Sequence, residues 1–382
     1  LSETKNTADL PLSLFRRLNM PVQIRDGHDN FFTPLRILMA LLVVTEHAMI
    51  VGLRDISAGA YVFFGYGLSY LAVNLFFITS GFLVTKSMTY RGDLPEYGSA
   101  RILRIYPALI IHVAFVLLLI GPLATTLPFW DYLTHPDVWK QPLLVLSFIN
   151  SDMVLPGAFL TNHEQLAAAP LWTLRYELLA YLMTALIFAL GLMRRKWMIL
   201  AQFILPSLAW LVAKESGLYE HLPATGQNAL RFAIAYGLGA TIFAYRDRLN
   251  FHVFGLVCMT LLAVLCNQIN AMEIAVNLML AYGLMLVAFV KAPRLERLQK
   301  LSDVSYGIYI YHWGLLQLAF YWWPQLSPIA LFIFIAPLSY AIAYASWHIV
   351  EKPALKAKKR FAKYLRFGRK PSNIEGRKLL LD

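Results

Sequence analysis

An arginine at position 36 and a histidine at position 47 interrupt an apolar run, "FFTPLRILMALLVVTEHAMIV", from Phe31 to Val51. Eleven residues at 100° each come to about 20° past three full turns, with a rise of roughly 16.5 Å, so on a helix the two share one face. Ionisable groups held deep in an apolar helix are costly and normally face a protein interior or a hydrated cavity. A neutral imidazole titrates near neutrality and suits removal of a proton from an attacking hydroxyl; it can also accept a transferred group covalently. Taken singly, Arg36 reads as a snorkelling interfacial cation and His47 as a packing histidine. Their common face is what points to a shared cavity. Glu46 is turned about 100° from His47 and is expected to meet a neighbouring helix or the outer surface.

Other polar groups stand in similarly apolar surroundings. Arg101 and Arg104, at i and i+3, share a face, and taken alone they read as ordinary basic anchors at a membrane edge. Trp172, Arg175, Tyr306 and His312 place hydrogen-bond donors in the same apolar surroundings. Arg175 and Glu177 are splayed on a helix, so each is expected to have its own partner. Tyr309 and His312 share a face, with Ser305 and Tyr306 one turn away, a row that suits a channel wall or interhelical packing. Ser80-Gly81 lacks a Gly-x-Ser-x-Gly elbow and reads as a small-residue helix contact. The nine histidines show no HExxH or Cys-His spacing, so no metal is expected, and no Walker-type glycine loop occurs.

The elements that would carry these groups are membrane helices. Of 382 residues 58% are hydrophobic and 15% charged, with mean hydropathy +0.55, which excludes an ordinary soluble domain. Ten apolar stretches centre near Leu42, Phe77, Val116, Ala180, Leu205, Leu238, Ala263, Leu280, Ile310 and Ile335, giving an all-α, polytopic chain of about ten transmembrane helices. The net charge of +12 alone would fit a nucleic-acid partner, but its placement argues for membrane topology instead. Lys and Arg crowd the N-terminal arm, every second loop and the C-terminal tail, whereas the intervening loops hold only Arg54, Lys140 and Lys214. That alternation puts both termini and the basic loops in the cytoplasm.

Residues 1–30 are expected to form a cytoplasmic arm, with "LPLSLFRRLNM" as a short amphipathic piece and no cleavable signal peptide. Residues 31–353 form the membrane domain. The segment from Leu127 to Pro170 is long, polar and aromatic, and is expected to cover an acceptor site. Trp130, Trp139, Trp322 and Trp323 read as an interfacial belt. Residues 354–382 read as a basic tail drawn to anionic lipid, whose removal should spare activity. "IEGR" at 374–377 is also the sequence of a protease site often introduced by engineering. Cys258 and Cys266, eight apart on one apolar segment, cannot bridge there and read as core residues.

Six blocks, in order, resemble the membrane-bound acyltransferase-3 family. The Arg-x10-His pattern of Arg36 and His47 is similar to its first-helix hallmark. "VNLFFITSGFLVTKS" (Val73 to Ser87), "ARILRIYP" (Ala100 to Pro107), "PLWTLRYELLAY" (Pro170 to Tyr181), "VSYGIYIYH" (Val304 to His312) and "WHIVEKP" (Trp347 to Pro353) resemble its later segments. The resemblance spans roughly Phe31 to Pro353. Asn74 stands where the family usually has an aspartate. Many members carry a further hydrolase-like domain after the last helix, and none is expected here.

The resemblance implies a bacterial inner-membrane enzyme that moves an acyl group, acetyl first, from cytoplasmic acetyl-CoA or another acyl-CoA to a hydroxyl of a polysaccharide or lipid-linked glycan. Polysaccharide biosynthesis proteins are the implied partners, and no nucleic acid is. His47 with Arg36 would be catalytic; Arg101, Arg104, Trp172, Arg175, Glu177, Tyr306, Tyr309 and His312 would bind substrate, with Arg36, Arg101 and Arg104 suited to the phosphates of the CoA and Trp172, Arg175, Tyr306 and His312 as candidate donors to the oxyanion. The alternatives are a succinyl or other short-acyl transferase, a secondary transporter, or an acyl-group exporter.

Overall fold

The computed structural model describes residues 21–25, 27, 29–55, 64–267 and 269–366. The amphipathic piece anticipated near residues 10–20 and the "IEGR" segment lie outside them. Among the described residues, ten apolar helices follow one another: α1 (Phe32–Leu53), α2 (Leu68–Arg91), α3 (Leu94–Phe115), α4 (Leu174–Ala189), α5 (Lys196–Glu215), α6 (Ala224–Ala244), α7 (Val253–Leu265), α8 (Met272–Phe289), α9 (Ser305–Trp322) and α10 (Pro328–Ser346). An amphipathic α11 (Lys358–Leu365) comes last. Every apolar centre anticipated from the sequence falls on a helix or its direct continuation. Among the described residues, seven helical stretches are long and apolar enough to cross a bilayer. They are α1, α2, α3 with its continuation to Ala124, α4 with the turn before it, α5, α8, and α10 with its continuation to Lys356.

The other three fall short for different physical reasons. α7 has only 13 residues, against the roughly 20 that span the hydrocarbon. α6 and α9 are long enough but carry polar groups such as Arg231 and Thr241, or His312, Gln317 and four tyrosines. Those groups are affordable because protein surrounds them: α9 is buried on nearly every side from Ser305 to Phe320, packed between α1 and α10. A helix that is buried all round is a core element.

Close helix contacts are made by small residues. A Cβ on Gly81 of α2 would lie 2.0 Å from the Tyr236 carbonyl oxygen of α6, and one on Gly239 would lie 2.0 Å from that of Ile78. Ser80-Gly81 is thus a packing motif, since only hydrogen lets these backbones approach so closely. Glu46 meets the start of α2, accepting from the Ser69 amide at 2.7 Å and its hydroxyl at 2.6 Å. A carboxylate there satisfies a free helix N–H and the positive end of the dipole.

Among the described residues two π turns interrupt the helices, at Val116–Ile120 after α3 and at Trp347–Glu351 after α10. The second swings Trp347 and Glu351 toward α3. The chain stays packed beyond the expected domain limit at residue 353. α11 lies along α3 with Ala362 buried, and Arg366 pairs with Asp93. Amphipathicity is the reason: a basic helix with one apolar stripe docks that stripe on the bundle.

Candidate active site

A cavity of about 400 Å³ opens among α1, α2, α3, α4, α9 and the Trp347–Glu351 turn. Its wall carries five cations, Arg36, Arg91, Arg101, Arg104 and Lys358, and two carboxylates, Glu177 and Asp303. Deeper in, the wall is apolar and aromatic, with Val73, Phe76, Phe77, Tyr306 and Tyr309.

The cations fall into two groups. Arg36 Nη1 lies 2.6 Å from Asp303 Oδ2, and Arg104 Nη2 lies 2.8 Å from the same oxygen. Arg104 Nη1 also reaches Glu351 Oε2, at 3.5 Å, and its guanidinium stands over Trp347 and Tyr306. Asp303 Oδ1 accepts from the Ser305 hydroxyl at 2.7 Å. Burial pushes the Asp303 carboxyl up, but Arg104 and then Arg36 outweigh it and hold the carboxyl below its ordinary range. Two arginines are therefore matched by two carboxylates, which the sequence did not announce. The other group is less matched. Arg91 has Glu96 at 3.8 Å, Arg101 stands over the rings of Tyr97 and Tyr181, and Lys358 arrives from α11.

Beyond the inner end of the cavity lie two histidines. His47 Nδ1 is 2.7 Å from His312 Nε2, with the rings stacked at 5.0 Å, and Trp313 stands edge-on to His47 at 4.9 Å. His312 Nδ1 lies 3.0 Å from the Ile308 carbonyl oxygen. A carbonyl only accepts, so His312 Nδ1 carries the hydrogen and, in the neutral ring, its Nε2 accepts. His47 Nδ1–H must then be the donor of the inter-ring bond. That order leaves His47 Nε2 as a basic lone pair.

Of the ten residues singled out in the sequence, Arg36, Arg101, Arg104, Glu177, Tyr306 and Tyr309 line the cavity. His47 and His312 form the pair beyond it, separated from the cavity by Phe76 and Tyr309, whose ring lies 6.3 Å from that of His312. Trp172 packs on Tyr176 and Phe232 instead, and neither it nor Arg175 contributes to the cavity wall. Glu177 accepts from the Tyr181 hydroxyl, and Tyr306 donates to the Ile105 carbonyl at 3.2 Å. Tyr309 donates to the Pro170 carbonyl at 3.0 Å and meets the Thr173 hydroxyl at 2.8 Å. Asp303, Glu351, Arg91 and Lys358 escaped notice. For Asp303 the available signal was a carboxylate next to "VSYGIYIYH" in a basic loop.

A second polar cluster lies away from the cavity. Asn74 accepts from Arg231 Nε at 2.8 Å and donates to Glu273 Oε1 at 3.0 Å, while Tyr70 and Asn277 also donate to Glu273. An amide at position 74 can bridge a cation and a carboxylate because it both accepts and donates.

The long segment before α4 is fastened to α9. Trp313 Nε1 donates to the Leu166 carbonyl at 2.7 Å, and Gln317 Nε2 donates to that of Glu164 at 2.8 Å. It therefore covers the end of α9 beyond the histidine pair. Among the described residues no group of His, Cys, Asp and Glu is placed to hold a metal ion.

Comparison with known proteins matches most of the chain to one family. The family model described as "Acyltransferase domain", acyltransferase 3, matches residues 30–348. "Nodulation protein 10" of Rhizobium leguminosarum bv. viciae is 26% identical over 361 residues, covering 86% of this chain and 94% of that protein. An "O-acetyl transferase" of Shigella phage Sf6 is 25% identical over 336 residues, covering 85% of this chain and 95% of that one. No solved structure matches the chain.

Proposed function

The chain belongs to the acyltransferase-3 family, and from that premise we propose that it transfers a short acyl group, acetyl first, from cytoplasmic acyl-CoA to a hydroxyl of a polysaccharide or lipid-linked glycan at a bacterial inner membrane. The relative named an O-acetyl transferase supports the acetyl group and the oxygen acceptor. The observation that carries the chemistry is the ordered chain from the Ile308 carbonyl through His312 to His47. It presents His47 Nε2, unprotonated, as general base.

In the reaction so derived, the acceptor O–H gives its proton to His47 Nε2 as its oxygen attacks the thioester carbon. The C–S bond then breaks, and the thiolate leaves with the proton returned from His47. His312 fixes the ring and spreads the positive charge that His47 acquires, much as a buried carboxylate does in a hydrolase triad. Arg36 is a positioning residue: with Arg104 it holds Asp303, two residues before α9, and so sets the helix that carries His312. The Tyr309 and Thr173 hydroxyls, on the cavity wall, are the donors best placed to turn toward the oxyanion. The carbohydrate approaches from the other side, beneath the segment fastened by Trp313 and Gln317.

Membranes with matched amounts of protein, given radiolabelled acetyl-CoA and candidate glycans, test the assignment. His47→Gln should lose on the order of 100-fold or more in transfer. His312→Phe should lower kcat with little change in the KM for the donor. Wild-type transfer by His47→Gln would remove His47 from the mechanism.

A further inference from the structure

We infer that Arg91, Arg101 and Lys358 form an anion site at the mouth of the cavity, one that takes the phosphate groups of the donor's nucleotide and is completed by α11. This rests on the acyl-CoA reading above and adds which cations meet the phosphates and which do not.

Charge matching separates the two groups of cations. Arg36 and Arg104 are engaged with Asp303 and Glu351 and hold the fold of the site. Arg91, Arg101 and Lys358 stand close enough to repel one another, and Lys358 is held below its ordinary pKa by burial and by Arg91. Gathering like charges costs stability unless an anion arrives. Two buried guanidinium nitrogens, Arg91 Nη1 and Arg101 Nε, have no hydrogen-bond acceptor among the described residues. Buried N–H groups are nearly always satisfied, so these mark a missing acceptor.

The cluster is also held in place. Arg101 stands over the rings of Tyr97 and Tyr181, at 5.7 and 5.2 Å from their centres, and Tyr97 is itself fixed by donating to the Tyr181 carbonyl at 3.0 Å. α11 is anchored through buried Ala362 and the Arg366–Asp93 pair, which sets Lys358 at the rim. Two planar forks and one ammonium suit a ligand with several phosphate oxygens. A nucleotide with a diphosphate and a 3′-phosphate has that chemistry, and so, with one phosphate, does an anionic lipid headgroup. Continuity with the cavity that leads inward to Tyr309 favours the nucleotide.

The test uses the full chain in phosphatidylcholine nanodiscs, with CoA, 3′-dephospho-CoA and adenosine 3′,5′-bisphosphate as probes in calorimetry. Lys358→Ala and Arg91→Gln should each weaken CoA about tenfold or more, and Lys358→Arg should restore most of it. Adenosine 3′,5′-bisphosphate should compete with CoA, and its affinity should fall as salt rises. In turnover, Lys358→Ala should raise the KM for acetyl-CoA and leave kcat unchanged, as loss of uniform binding does. Unchanged CoA affinity in both Lys358→Ala and Arg91→Gln would overturn the site while leaving wild-type transfer intact. Displacement of the probes by added phosphatidylglycerol, with CoA turnover unaffected, would also overturn it, as a lipid site. A wild-type chain that transfers acetyl from a donor other than a CoA thioester overturns the donor assignment beneath it too.

Discussion

At the scale of single residues, Asp303 is the hinge of the site. It accepts from two arginines that come from α1 and α3, and from Ser305 at the start of α9, so one carboxylate ties three helices together. Removing it leaves two guanidinium groups facing each other in a partly buried setting, and Asp303→Asn should cost roughly 3 kcal/mol. The pH dependence follows from the depressed pKa of Asp303. The unfolded carboxyl binds a proton first as pH falls, so the stabilisation is whole above about pH 5, shrinks below the ordinary carboxylate value near 4, and is lost through the lower folded value. Thermal unfolding in detergent should show a constant gap between wild type and Asp303→Asn from pH 5 to 8, narrowing toward pH 3. A gap that persists undiminished to pH 3 would contradict the ion pairing. Arg36 and His47 could be singled out in the sequence because both lie on one helix, where spacing gives a face, but the shared cavity expected from that face is interrupted: Arg36 lines it, whereas Phe76 and Tyr309 stand between it and His47. Asp303 could not be singled out this way, since its partnership with Arg36 joins positions 267 apart and no periodicity encodes it.

At the scale of elements, the helices were legible and their crowding was not. Apolar runs located the ten apolar helices of the described residues, but a run reports hydropathy alone. It could not tell that α9 would be enclosed by protein, that α7 would be a 13-residue helix, or that a basic tail would fold back as α11. Small residues set the crossing of α2 and α6, and that crossing decides where Phe76, Thr79 and Ser80 stand on the cavity wall. Gly81→Ala would place a methyl carbon 2.0 Å from a backbone oxygen, which no side-chain rotation relieves. The helices must separate, at a cost of about 1–3 kcal/mol by the usual penalty for overpacking. Unfolding temperature should therefore fall in Gly81→Ala and in Gly239→Ala, whereas Gly98→Ala, with open space around it, should leave it unchanged. Equal stability of all three would mean that α2 and α6 are not in contact at these points.

At the scale of the whole molecule, charge and contact agree on which loops share a side. The strand Val22–Gln23 of the N-terminal arm pairs antiparallel with Asn250–Phe251, between α6 and α7. Arg25 donates to the Phe289 carbonyl at the end of α8, Lys86 donates to the Gly27 carbonyl, and Arg366 pairs with Asp93. These are the basic segments of the alternating pattern, gathered at one end of the bundle. At the other end, Asn270 donates to Glu215, and Gly52 abuts Pro328. Contact alone does not say which end faces the cytoplasm. Cation excess favours the basic end as the cytoplasmic one, by the positive-inside rule, and the proposed donor requires the same because the cavity mouth lies at that end. Cysteine labelling decides it. With Cys258 and Cys266 replaced by serine, Trp130→Cys on the long segment before α4, 71% exposed, should react with an impermeant maleimide in intact cells. Lys359→Cys on the exposed face of α11 should react only after the membrane is opened. The reverse pattern would turn the cavity mouth away from the cytoplasm, and with it any acyl-CoA made there.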